Sequence, residues 1–196
     1  MKMIPRNTTK IMNYLLRNFE LSNINQISKK LKISVGSVFK ILKELEKNVI
    51  VLVKKLGNAK YYNLNFKNKE TIKLCELILL EEKRNLKGYA KIYADEIKNF
   101  KNADLIILFG SILKNKQFND IDILFVTNKV KEVSKFCLEI GKIRTKPIIP
   151  LILKKSDLIK EIKNEKESVL EIIRTGVIIK GESVFLEIIE NVYSKR

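Results

Sequence analysis

The sequence predicts an α+β chain in two parts, a compact helix-and-hairpin unit followed by a small α/β unit with a mixed sheet. Three observations predict it. The first 66 residues carry three apolar stripes at helical spacing and then two strand-like runs around a Gly-Asn turn. Farther on, the strand-length apolar run Leu105 to Phe109 ends in Gly110-Ser111, and Asp120-Ile121-Asp122 opens a second apolar run through Val126. From there to the end, helical and extended patterns alternate.

Taken in order, Ile11, Leu15, Leu16 and Phe19 follow Thr8-Thr9, good capping residues, and mark a first helix. Asn23 to Leu31 gives a short second helix with Ile24, Ile27 and Leu31 inward, and Lys32-Ile33-Ser34 forms a turn. A third helix runs from Ser34 to about Lys47. Its Val38, Ile41, Leu42 and Leu45 face a core, and Ser37, Lys40, Lys43 and Lys47 are among its polar positions. Asn48 is expected to end it in the left-handed conformation. Val49 to Lys55 and Lys60 to Leu64 then form a hairpin with Leu56-Gly57-Asn58-Ala59 at its tip.

Three helices and a basic hairpin over about residues 4 to 66 resemble the winged helix-turn-helix domains of bacterial and archaeal transcription regulators. The resemblance implies duplex DNA as a partner. Ser34, Val35, Ser37 and Lys40, with Lys43 beyond them, would lie along the groove, and Lys54, Lys55 and Lys60 would reach phosphate. Charge agrees. The chain's net charge is +17, and residues 1–66 hold 13 Lys and Arg against 3 Glu, a net of +10, leaving +7 for the remainder. Neutralisation of phosphates supplies most nonspecific affinity for nucleic acid. A homodimer would suit such a reader, because paired half-sites multiply specificity.

Phe66 to Glu70 reads as a polar connection, and Thr71 to Phe100 as helix with a break near Glu81 to Asn85. Leu86, Tyr89, Ala90, Tyr93, Ile97 and Phe100 form a stripe that must pack on something, and packing within the chain is favoured over a second subunit. The expected domains are therefore 1–66, a helical connection over 67–100, and 101–196.

In the last of these, Gly110 lets the backbone turn sharply and approach a ligand, and a helix beginning near Ser111 would aim N–H groups at an anion. Asp120 and Asp122, two apart on a strand, face the same way. Two hard oxygen ligands beside a phosphate cradle suit a Mg2+-nucleotide, since Mg2+ typically takes one or two carboxylates plus phosphate oxygens. After Val126, Lys129 to Lys142 reads as helix, Ile148 to Leu153 as extended, and Ser156 to Arg174 as one long helix capped by Ser156. Val177 to Ile179 is expected as an edge strand and Val184 to Val192 as a last helix.

The strand, Gly110-Ser111, spacer and Asp120-x-Asp122 resemble the signature of the DNA polymerase β-type nucleotidyltransferase superfamily, in particular its minimal members. Arg174 to Gly181 resembles the helix-to-strand ending of those domains, so about half of the chain is covered. The resemblance implies that Gly110 and Ser111 hold the triphosphate of an NTP, ATP among them. It also implies that Asp120 and Asp122 are catalytic residues that hold Mg2+. Two departures stand out. Ile112 and Leu113 replace the small and basic residues usual after Gly-Ser, and the strand expected to carry a third carboxylate, Lys146 to Leu153, contains no acid. Two-metal transfer uses one ion to activate the attacking oxygen, so a missing carboxylate weakens that side first, and Asp157 is a poor geometric substitute.

The chain has no histidine, which excludes Ser-His and Cys-His catalysis and most zinc sites. Cys75 and Cys137 share no short spacing and are expected as reduced, buried thiols. No apolar run approaches the roughly 18 residues of a membrane span and no secretory signal is evident, so a cytoplasmic location is expected. Two function classes follow. One is a DNA-binding, transcription-regulator-like protein with a domain that senses or modifies a nucleotide. The other is a transferase moving NMP from NTP to a protein or RNA, like the antitoxins in the family that modify a helical HEPN-type toxin partner.

Overall fold

The computed structural model describes residues 4–114 and 117–193. The chain forms two compact units that meet in sequence between Ile78 and Leu79. In the first, helices α1 (Arg6–Arg17), α2 (Ile24–Leu31) and α3 (Val35–Lys47) are joined by an antiparallel sheet of β1 (Ser22–Asn23), β2 (Val51–Leu56) and β3 (Ala59–Leu64), in the order β1-β3-β2. Ile11, Met12, Leu16, Ile27, Val38, Leu42 and Ile50 are essentially inaccessible and form its core.

Local chemistry fixes these boundaries. Pro5, with φ preset near the helical value, stands at the start of α1, so Thr8-Thr9 lie inside the first turn rather than capping it. Asn23 and Gln26 form a reciprocal capping box on α2, and Ser34 caps α3 by accepting from the Ser37 N–H. Asn48 does not enter the left-handed region (φ −88°). Val49 does, at φ +57°, and Val49 and Ile50 donate back to Glu46 and Leu45, closing the end of α3. Asn65 and Asn68 fix this unfavoured valine by donating to its carbonyl at 3.0 and 3.1 Å. The hairpin is tighter than expected, because Leu56 pairs with Ala59 and only Gly57 (φ +58°) and Asn58 form the turn.

Helix α4 (Lys69–Arg84) carries the chain from the first unit into the second, and α5 (Gly88–Ile97) follows after a break at residues 85–87. The sheet of the second unit comprises β4 (Leu105–Phe109), β5 (Ile121–Val126), β6 (Ile148–Leu153) and β7 (Val177–Lys180), in the order β6-β5-β4-β7. It is mixed, since β5 and β6 are parallel and the other pairs antiparallel. Along one face Ile106, Leu108, Ile121, Ile123 and Phe125 pack with Ala90, Tyr93 and Ile97 of α5 and with α6 (Val130–Ile143). The α5 stripe is thus satisfied within the chain, except that Tyr89 is 59% exposed. Tyr93 also donates to the Lys146 carbonyl at 2.9 Å, which anchors the entry to β6.

The long helix expected from Ser156 is two helices, α7 (Lys155–Lys163) and α8 (Glu167–Thr175), and Ser156 bonds Asp157 instead of capping. Glu165 takes φ +55° at the break. No apolar residue lies between Ile162 and Val169, so nothing in the core holds the helix straight through this stretch. Helix α9 (Glu182–Tyr193) closes the fold, with α8 and α9 packed against β4. Cys75 and Cys137 are free and buried, and burial pushes their thiols up to about 12 and about 11. Among the described residues no helix is long and apolar enough to cross a membrane.

Candidate functional site

Asp120 lies just before β5 and Asp122 is its second residue. Ile121 between them is fully buried, so pleat alternation turns both carboxylates to the opposite face, where each is half-buried at the strand entry. Antiparallel pairing sets Phe109 directly opposite Asp122, which delivers Gly110 to the side of that carboxylate as β4 ends. Gly110 adopts φ +84°, and a Cβ built there would stand 2.1 Å from Asp122 Oδ2 and 3.0 Å from its Cγ. The glycine therefore does more than turn the chain. Its missing side chain is the space Asp122 occupies, a role invisible without the strand register.

Burial, and next the charge of Asp120, hold the Asp122 carboxyl above the usual carboxylate range. Nearby cationic charge would relieve both effects. Ser111 is half-buried and begins a four-residue 3₁₀ turn to Lys114, within which the Leu113 N–H bonds the Gly110 carbonyl at 3.3 Å. The helix expected here is only this turn, so a helix dipole adds little. Ile112 is 5% exposed and belongs to the core, which explains a large apolar residue directly after Gly-Ser. Lys114, not singled out from the sequence, is the last residue of this turn and pairs with Glu171 of α8 at 3.5 Å.

Register also locates the residue facing the acidic pair from β6. Ile149 pairs with Asp122 and Leu151 with Leu124, and these two apolar side chains are 50% and 36% exposed. Asp157 follows the far end of β6, whereas Asp120 and Asp122 sit at the near end of the parallel β5. Among the described residues no three or more His, Cys, Asp or Glu side chains group as metal ligands.

In the first unit, Val35, Lys40, Lys43, Lys54, Lys55 and Lys60 are exposed, Ser37 is half-buried, and the Ser34 hydroxyl is engaged with Ser37 at 2.8 Å. Lys55 and Lys60 are cross-strand partners, a like-charge pairing that disfavours the bare hairpin. Phe39 was missed in the helical reading. It is 49% exposed one turn from Val35, with Lys43 Nζ 5.9 Å from its ring centroid.

The second unit thus has a mixed sheet with a glycine-serine turn at one strand end and an Asp-x-Asp pair entering the neighbouring strand, an arrangement suited to a nucleotide and a divalent cation. Residues 91–184 match the family model described as Polymerase beta, Nucleotidyltransferase. The chain therefore carries a nucleotidyltransferase-family domain there, containing Gly110, Ser111, Asp120 and Asp122. No curated protein and no solved structure matches the chain.

Proposed function

We propose that this chain is a DNA-binding regulator, with a winged helix-turn-helix over residues 1–66, a helical connection over 67–100, and a domain over 101–196 that binds a nucleoside triphosphate with Mg2+. The observation that carries the nucleotide half is the side-chain-free Gly110 against Asp122, with Asp120 beside it. The fold holds Asp122 beside Asp120 where burial and its neighbour's charge oppose the ionisation of Asp122, an arrangement better matched to a dication than to the fold alone. Asp120 and Asp122 would hold Mg2+, and the bound ion supplies charge neutralisation for phosphate oxygens. Gly110 and Ser111 offer backbone N–H groups and a hydroxyl to the same phosphates.

The DNA half is supported by the capped α3 with exposed Lys40 and Lys43, by the Lys55–Lys60 pair awaiting counter-charge, and by the net +10 of residues 1–66. Transfer of NMP to a protein or RNA is the second reading, favoured by the family match. Ile149 opposite Asp122 argues against it, because that neighbour supplies no carboxylate for activating an acceptor.

Calorimetric titration of ATP and the other NTPs, with and without Mg2+, tests the nucleotide site. Mg2+-dependent binding that vanishes in Asp120→Ala/Asp122→Ala is expected, and absence of binding to every NTP would overturn the proposal for this unit. For the first unit, Lys40→Glu and Lys54→Glu are expected to weaken duplex binding in a band-shift assay. Unchanged affinity refutes DNA binding through this face.

A further inference from the structure

Resting on the DNA-binding reading above, we infer that the α3 face selects A·T base pairs by contacting thymine methyl groups through Val35 and Phe39. Val35, Gly36 and Phe39 line one wall of an open groove of about 640 Å³, which is completed by Asn23, Ile24 and Asn25 at the start of α2 and by Asn58, Ala59 and Lys60 at the hairpin tip. Val35 and Phe39 lie one helical turn apart and are about half exposed, at 50% and 49%. Apolar side chains at such a surface contribute little to folding, but they match the C5 methyl that thymine alone presents in the major groove.

Gly36 supplies an independent observation. Glycine is the poorest helix former after proline, yet a Cβ at this position would meet nothing within 4 Å. No neighbour within the chain requires a glycine here. Its bare backbone leaves room for close approach of an external surface, which a side chain would hold off.

Chemistry narrows the occupant further. The groove's polar lining is amide-rich, with Asn23, Asn25 and Asn58, and asparagine amides complement the donor-acceptor edge of adenine. Neither α3 nor the hairpin contains arginine, the side chain that most often reads guanine. Lys60 lines the groove with Lys55 as its cross-strand partner, and Lys43 lies by the Phe39 ring, positive charge that favours a polyanion over an apolar protein surface.

The test is fluorescence anisotropy of the full chain against three labelled duplexes of equal length: A·T-rich, G·C-rich, and the A·T-rich sequence with uracil replacing thymine. Uracil removes only the methyl group. The A·T-rich duplex is expected to bind most tightly, and the uracil duplex about fourfold more weakly for each methyl contacted. Val35→Ala and Phe39→Ala, both at exposed positions, are expected to erase the thymine-uracil difference while retaining binding, with circular dichroism confirming the fold. Duplex binding that is blind to uracil and to base composition would overturn the inference and leave the DNA-binding reading standing. Binding to no duplex would overturn both.

Discussion

Replacing Asp122 by asparagine should stabilise this protein while disabling the proposed nucleotide site, an opposition that a structural aspartate would not show. Asp122 is about half buried beside Asp120, and its carboxyl is held above the ordinary range first by burial and then by that neighbour's charge. Side chains two apart on a strand are separated by about 6.6 Å, so their repulsion lies between about 0.6 kcal/mol at the dielectric of water and about 2.5 kcal/mol at an effective dielectric of 20. Half exposure places the effect near 1 kcal/mol, equivalent to about 2–4 °C in Tm for a chain of this size. The sign has a pH dependence. A carboxyl whose folded pKa is raised destabilises the fold at neutral pH and ceases to do so as pH falls below its unfolded value. Asp122→Asn should therefore melt higher than wild type at pH 7, with the advantage shrinking toward pH 4, and should lose Mg2+-dependent ATP binding by calorimetry. If Asp122→Asn and Asp120→Asn both melt lower at neutral pH, the carboxylates hold the fold together and the reasoning fails.

Gly110→Ala combines left-handed backbone strain, about 1–2 kcal/mol, with a Cβ 2.1 Å from Asp122 Oδ2. It should lower stability in denaturant titration by at least that amount and abolish Mg2+-ATP binding. Adding Asp122→Ala should recover part of the lost stability, because the clash partner is gone, and strict additivity of the two changes would refute the contact. At the end of α3, Val49 is 54% exposed and has φ +57°, so Val49→Asn gives up little burial and enters the left-handed region more readily. A gain of about 1 kcal/mol is expected in the same titration, and a loss would mean that the valine side chain anchors the turn.

Continuous apolar runs made the second sheet legible. The expected span Ile148 to Leu153 is β6 itself, and the strands flanking Gly110 and Asp120 fall where alternation and glycine placed them. In the first unit, three helices and a hairpin were readable because caps such as Ser34 and the Gly57-Asn58 turn are written in short-range chemistry. What escaped depends on residues distant in sequence or on conformations without a preferred residue type. Val49 and Glu165 occupy left-handed positions where glycine or asparagine is the usual signal, so the left-handed residue after α3 was placed at Asn48, although the helix ends at Lys47 as expected, and α7 and α8 were merged. The four residues proposed for the nucleotide site were singled out by their spacing, but the reason Gly110 must be glycine required the Phe109–Asp122 pairing. The apolar surroundings of the acidic pair likewise emerged only when the parallel register set Ile149 opposite Asp122. Phe39 could have been found earlier, since it stands on the polar side of an otherwise regular stripe of Val38, Ile41, Leu42 and Leu45.

The proposed joining of a DNA reader to a nucleotide site in one regulator has a thermodynamic consequence that can be measured without knowing the operator or any acceptor. If Mg2+-ATP changes duplex affinity by some factor, duplex must change ATP affinity by the same factor, because both describe one coupling free energy. Coupling of about 1–3 kcal/mol, or roughly 5- to 150-fold, is the usual range for such linked sites. Anisotropy titrations of an A·T-rich duplex with and without saturating Mg2+-ATP give one side of the cycle, and calorimetry of ATP into free and duplex-bound protein gives the other. A shared factor of about fivefold or more is expected, in either direction, and it should disappear in Asp122→Asn with duplex binding itself intact. Equal affinities on both sides, with each ligand still bound, would mean that the nucleotide does not regulate DNA binding. The transferase reading would then be favoured, with the first unit serving to bring the domain to its substrate.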